Sequence, residues 1–315
     1  MQRSAKRRRH HLQASLLLVI QFGFATPSTG IGGDPNQASQ QNQVTVRKVR
    51  SKDGTAIAFD QSGKGPVLVL VAAALSTRSS AAKLAALLTT DFTVINYDRR
   101  GRGDSGDTPP YAVEREVEDI EALINEAGGS AFLFGSSSGA VLALEATNRL
   151  PAKVKKLAVY EPPFVVDDSR PRVPSDFAKQ VTELASSGRR SEAVEYFMTK
   201  GVGVPPDYIA QMRKMPMWAG LEKLAHTIGY DAAVMGDTQA GKPLPSGRWK
   251  SARSPTLVMD GGETAPWLHT AADALAKILP NAQRQTLKGQ DHGVVTTAPE
   301  ALAPVLVEFF TAAPK

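Results

Sequence analysis

From Val44 onward, short runs rich in β-branched and apolar residues alternate with longer stretches of helical period. Val44–Val49 and Thr55–Gln61 flank the turn residues Asp53 and Gly54 and predict an opening antiparallel hairpin. Val67–Ala72 is continuously apolar, as a strand buried on both faces requires. A helix over Ser79–Leu88, a strand over Thr93–Tyr97, a helix over Glu114–Ala127, a strand over Ala131–Phe134, a helix over Ala140–Asn148 and a strand over Leu157–Tyr160 follow. The rhythm then breaks. Residues 164–250 hold four helix-like stretches (Ser175–Ser186, Ser191–Lys200, Asp207–Met215, Trp218–Tyr230) with no convincing strand between them. Alternation resumes with a strand at Thr256–Met259, a helix at Trp267–Leu279, a strand at Gln283–Leu287 and a helix at Ala298–Phe310. This predicts one α/β domain with a mostly parallel sheet, helices on both faces and a helical insertion between two strands, formed by residues 44–163 and 251–315 around 164–250.

The chain before Val44 has another character. Of the six excess positive charges of the whole chain, five are accounted for by Arg3, Lys6, Arg7, Arg8 and Arg9, and an apolar run from Leu16 to Phe24 ends near the small residues Gly23 and Ala25. That is the layout of a secretory signal peptide over residues 1–25, too short to remain as a membrane span. The expectation is an exported protein, or a cytoplasmic one if the reading frame starts too far upstream. Residues 26–43 are polar and aperiodic and read as a flexible tether. Without the leader the chain is close to neutral, so its pI of about 9.4 gives no reason to expect nucleic acid as a partner. The 315 residues contain no cysteine, which excludes disulfides, thiolate metal sites and a cysteine nucleophile.

Candidate chemistry lies where strands end. Gly135-Ser136-Ser137-Ser138-Gly139 joins a predicted strand to a predicted helix, and only Ser137 has glycine two residues away on both sides. This is the G-x-S-x-G nucleophile elbow in its required context. His292, in Gly289-Gln290-Asp291-His292-Gly293, falls in the loop after the last strand, where a general base can reach a serine at the C-terminal edge of a parallel sheet. No H-E-x-x-H, phosphate-loop or dinucleotide glycine pattern occurs, so no metal, nucleotide or other cofactor is expected. Met212, Met215, Met217 and Trp218 in the insertion fit either a pocket wall or the insertion's own packing.

Asp98-Arg99-Arg100-Gly101-Arg102-Gly103-Asp104-Ser105 directly follows a strand. With the elbow, the insertion and the terminal histidine loop in this order, the chain resembles the α/β-hydrolase superfamily, specifically its lidded, esterase-like serine hydrolases, from about Val44 to Phe310. The resemblance implies a structural role for the Asp98–Arg99 loop and oxyanion donors at the backbone N–H groups of Ala74 and Ser138. The acid that orients His292 is read as Glu161, with Asp260 and Glu263 as the alternatives. Threonine stands at position 264, where the family usually has aspartate, leaving Asp260 and Glu263 as neighbours. The family's other arrangement puts the acid at the tip of the preceding strand, where this chain has Glu161 in Tyr160-Glu161-Pro162-Pro163. The implied activity is cofactor-free cleavage of an ester or lactone in a small apolar substrate. A hydrolase-like binding protein with little turnover, or a carbon–carbon bond hydrolase, is the alternative on the same scaffold.

Overall fold

The structure is a computed structural model that describes residues 46–313; the expected signal peptide and tether lie outside the described residues. Strands β1 (Arg47–Arg50) and β2 (Ala56–Ser62) form the opening hairpin. Next come β3 (Val67–Val71), a 3₁₀ turn at Arg78–Ala81 leading into α1 (Ala82–Leu88), β4 (Thr93–Tyr97), α2 (Val113–Glu126), β5 (Ala131–Ser136), α3 (Ser138–Arg149) and β6 (Val154–Tyr160). Five helices make up the insertion: α4 (Phe177–Ser186), α5 (Arg190–Tyr196), α6 (Pro206–Met212), α7 (Met217–Leu224) and α8 (Ile228–Met235). β7 (Thr256–Gly261), α9 (Pro266–Ile278), β8 (Ala282–Leu287), α10 (Val294–Thr297) and α11 (Pro299–Thr311) complete the chain. The strands form one sheet in the order β1-β2-β4-β3-β5-β6-β7-β8, parallel from β4 to β8 and antiparallel only where β2 meets β1 and β4.

Burial on both faces explains the unbroken apolar runs. In β3, Val69 and Val71 pack toward α2, α3 and α9, while Leu68 and Leu70 pack toward α1 and α11. β6 divides in the same way, with Leu157 and Val159 on one face and Ala158 and Tyr160 on the other. The insertion has its own core, in which Phe177, Val181 and Ala185 recur at helical spacing along one stripe of α4. Met212, Met217 and Trp218 pack into that core and Met215 is exposed, so these four are the insertion's own packing and surface rather than a pocket wall. The stretch expected as one helix over Ser191–Lys200 is α5 followed by a wider π turn at Phe197–Val202. Among the described residues, no helix is long and apolar enough to cross a membrane.

Parallel order brings the loops after β3, β5, β6, β7 and β8 to one edge of the sheet, where crevices form in open α/β sheets. The segment from Phe164 to Lys250 connects β6 to β7, and ten of its residues join the wall of a cavity at that edge alongside Ala74, Ser137 and His292.

Candidate active site

Ser137 sits between β5 and α3 with φ 54° and ψ −126°, a conformation that L-residues avoid. Its N–H donates to the carbonyl of Tyr160 at the end of β6 (2.9 Å), which holds the turn from the adjacent strand. The flanking glycines are needed for close approach. A Cβ at Gly135 would collide with the carbonyl of Gly139, and a Cβ at Gly139 with those of Val71 and Ala72.

Three non-glycine residues among those described have positive φ: Leu75 (52°), Ser137 (54°) and Glu161 (45°). Each lies just past the C-terminal end of a strand (β3, β5 and β6), all at the same sheet edge. Such strain costs about 1–3 kcal/mol per residue and persists where the surroundings over-determine it. At Leu75 the cause is visible, because the side chain is fully buried in the core of the insertion.

His292 Nδ1 lies 2.6 Å from Glu161 Oε2. The carboxylate is fully buried and held on both oxygens. The Gly261 N–H donates to Oε1 (2.7 Å) and the Thr264 hydroxyl to Oε2 (3.2 Å). The threonine found at the family's usual aspartate position thus contacts the acid that stands on the neighbouring strand. Around it, the Tyr160 hydroxyl donates to the Asp291 carbonyl (2.6 Å) and the Glu263 N–H to the Gln290 carbonyl (2.9 Å), which fixes the histidine loop to β6 and β7.

The other two candidate acids are elsewhere. Asp260 is bound by Arg284 (2.8 Å to Oδ1) and by His269 Nδ1. Burial opposes its charge, but the bonds from Arg284, Thr286 and His269 outweigh burial and hold its carboxyl below the usual aspartate range. Glu263 is exposed at the cavity rim. Of the three, the structure brings Glu161 to His292.

Ala74, Ser137, Ser138 and His292 line one cavity of about 530 Å³, with Phe177, Phe197, Ile228 and Met235 among its apolar walls. That volume suits a small molecule. As the first residue of α3, Ser138 has a backbone N–H with no acceptor inside the helix.

The arginine-rich loop acts on the opposite side. The Arg102 guanidinium donates to the Ala73 carbonyl (2.7 Å). Because a trans peptide points its C=O and N–H in opposite directions, this bond sets the direction of the Ala74 N–H. Asp231, on α8, accepts from Arg99 (2.7 Å), Arg102 (2.7 Å) and the Ser138 hydroxyl (2.8 Å). Burial opposes its charge, but Arg102, Arg99 and Ser138 hold its carboxyl below the usual range. Sequence reading missed Asp231: it lies in the insertion, 93 residues from Ser138, and belongs to no motif. Asp98 receives the Arg78 and Asp104 backbone N–H groups (2.7 and 3.0 Å) and braces its own loop.

This sheet order, with a strained serine turn after β5 and a histidine loop after β8, defines an α/β hydrolase. The pattern of the Alpha/beta hydrolase family matches residues 68–305, and the chain belongs to that family. The crystal structure of an alpha/beta hydrolase from Sphaerobacter thermophilus DSM 20745 is similar to it, with 57% identity, a TM-score of 0.77, and coverage of 84% of this chain and 100% of that one. A 2-(acetamidomethylene)succinate hydrolase of Mesorhizobium japonicum is 26% identical over 80% of this chain and 90% of its own length. The uncharacterized hydrolase YraK of Bacillus subtilis is 33% identical over 35% of this chain, a match that spans 42% of YraK.

Proposed function

We propose that the protein is a cofactor-free serine hydrolase that cleaves a carboxylic ester or lactone through an acyl-enzyme. Ser137 Oγ attacks the carbonyl carbon while His292 Nε2 takes its proton. Glu161 holds the Nδ1–H tautomer and stabilises the imidazolium that forms. The oxyanion accepts from the N–H groups of Ala74 and Ser138. Collapse of the tetrahedral intermediate breaks the ester C–O bond, and His292 returns the proton to the leaving alkoxide. Water then attacks the acyl-enzyme with His292 as base, freeing the acid and regenerating Ser137.

The observation that carries this reading is the 2.6 Å His292–Glu161 pair facing the same cavity as the strained Ser137. In this reading residues 164–250 form a lid that shields the acyl-enzyme, and residues 1–25 direct export. Turnover of p-nitrophenyl butyrate tests the chemistry: the wild type releases nitrophenolate and Ser137→Ala does not. Equal rates in the two would contradict the proposal.

A further inference from the structure

Three arginines in the loop after β4 are fully buried and matched by carboxylates, and a fourth, half-buried one elsewhere is not. Arg99 meets Glu116 and Asp231, Arg100 meets Asp53 and Asp119, and Arg102 meets Asp231. The fourth, Arg170, is in the segment between β6 and α4 and lines the cavity that holds Ser137 and His292. Among the described residues, no carboxylate lies within ion-pair distance of it. Its guanidinium stacks over the Trp267 ring, with Cζ 4.5 Å from the centroid. Nη2 donates to the Gly201 carbonyl (3.0 Å) and Nε to that of Pro171 (3.3 Å), and Nη1 is buried with no partner. Burial, with no acid to offset it, pushes the Arg170 guanidinium down from its usual range.

An unpaired guanidinium beside a reaction cavity is costly in the empty protein, and the cost is relieved when a ligand brings the missing charge. The rest of the wall suits that division of labour. Among the described residues no other arginine or lysine lines this cavity, and its apolar wall includes Phe177 and Phe197; of its three acids, Asp231 is paired with Arg99 and Arg102, Asp291 accepts from the Gly293 N–H, and Glu263 is exposed. Backbone carbonyls and the Trp267 face orient the guanidinium plane, and the hydrogens of Nη1 are left without an acceptor, a demand that a planar carboxylate reaching the guanidinium would meet.

We infer that Arg170 is a substrate-anchoring residue that binds a free carboxylate on the acyl or alcohol part of the substrate, so that the preferred substrates are esters carrying a second, ionised carboxyl group. This rests on the serine hydrolase reading for the bond cleaved, but the anchoring can be measured without turnover.

The test uses two probes of similar size, monomethyl glutarate and methyl valerate, titrated calorimetrically into the Ser137→Ala protein, where neither is consumed. The acid ester is expected to bind at least tenfold more tightly than the neutral one. Adding Arg170→Gln should remove that preference, and Arg170→Lys, which keeps the charge without the planar fork, should fall between the two. In the active protein the ratio of kcat/KM for p-nitrophenyl hydrogen glutarate over p-nitrophenyl valerate should fall at least tenfold on Arg170→Gln, mainly through KM. Equal affinity for the two probes in the Ser137→Ala protein, or a preference that survives Arg170→Gln, would overturn the inference. Carboxylate-selective binding in a protein that hydrolyses neither ester would instead contradict the serine hydrolase reading and leave the anchor standing.

Discussion

Among the described residues two histidines hold a buried carboxylate through Nδ1, and the two carboxylates stand at the ends of neighbouring strands. His292 meets Glu161 past β6, and His269 meets Asp260 within β7. Pairwise geometry does not separate them. The surroundings do. Asp260 is shared with Arg284, itself tied to Asp273, so that pair belongs to a charge cluster joining β7, α9 and β8. Among the described residues Glu161 meets no arginine or lysine; it accepts from a backbone N–H and a hydroxyl, and its histidine opens onto the cavity that Ser137 also lines. A carboxylate neutralised by a permanent cation is a structural element, whereas one left to balance a histidine can answer a proton arriving on that ring.

Removing the members of the two pairs should break the symmetry most strongly. His292→Ala is expected to lower kcat by ~10⁴-fold or more, and Glu161→Gln by ~10²- to 10⁴-fold, because the amide no longer favours the correct tautomer or the imidazolium. His269→Asn should leave ester turnover within about twofold, as expected for a group remote from the reacting atoms. If His269→Asn matched His292→Ala in kcat, the distinction between the pairs would fail.

Asp231→Asn is the next largest expected effect. The substitution leaves Arg102 without a carboxylate and loosens the groups that aim the Ala74 and Ser138 N–H donors. We expect kcat to fall ~10- to 100-fold with little change in KM, and stability to fall by roughly 3 kcal/mol, the cost of breaking a buried pair. Urea unfolding alongside steady-state kinetics separates the two losses. A stability loss with unaltered kcat would reduce Asp231 to a structural role.

The smallest expected effect concerns pH. Asp260 has a carboxyl held below the usual range, so its charged form favours the folded state. That contribution is present above the unfolded-chain value of about 3.9 and is lost as pH falls through the lower folded value. Asp260→Asn should therefore lower the thermal midpoint at pH 7 by more than at pH 3. An equal shift at both values would show that the charge does not carry the effect.

The elbow and the histidine loop were legible because each depends on local chain chemistry: two glycines at fixed distance from a serine, and a loop bounded by a strand and a helix. The alternation of strands and helices was legible for the same reason, down to the unchanged limits of β4 at Thr93–Tyr97. Glu161 is the first choice for the acid from sequence, but Asp260 and Glu263 stay as alternatives, because all three lie at the ends of neighbouring buried strands and the choice depends on backbone rotation. Glu161 has φ 45°, a conformation no residue preference announces. Asp231 and Arg170 lie in the irregular insertion and reach the site only through tertiary contacts, so no spacing pattern marks either one. The turn at Phe197–Val202 was hidden within a helical pattern because a π turn preserves nearly the same periodicity over so few residues.

The central claim is that Ser137 is a nucleophile made reactive by His292 and Glu161. Intact-protein mass measurement after exposure to a fluorophosphonate tests it most directly. The wild type should gain the mass of a single phosphonyl adduct mapped to Ser137, His269→Asn should gain it equally, and Ser137→Ala and His292→Ala should gain none over the same interval. A wild type that stays unmodified, or an adduct that persists in Ser137→Ala, would contradict the account.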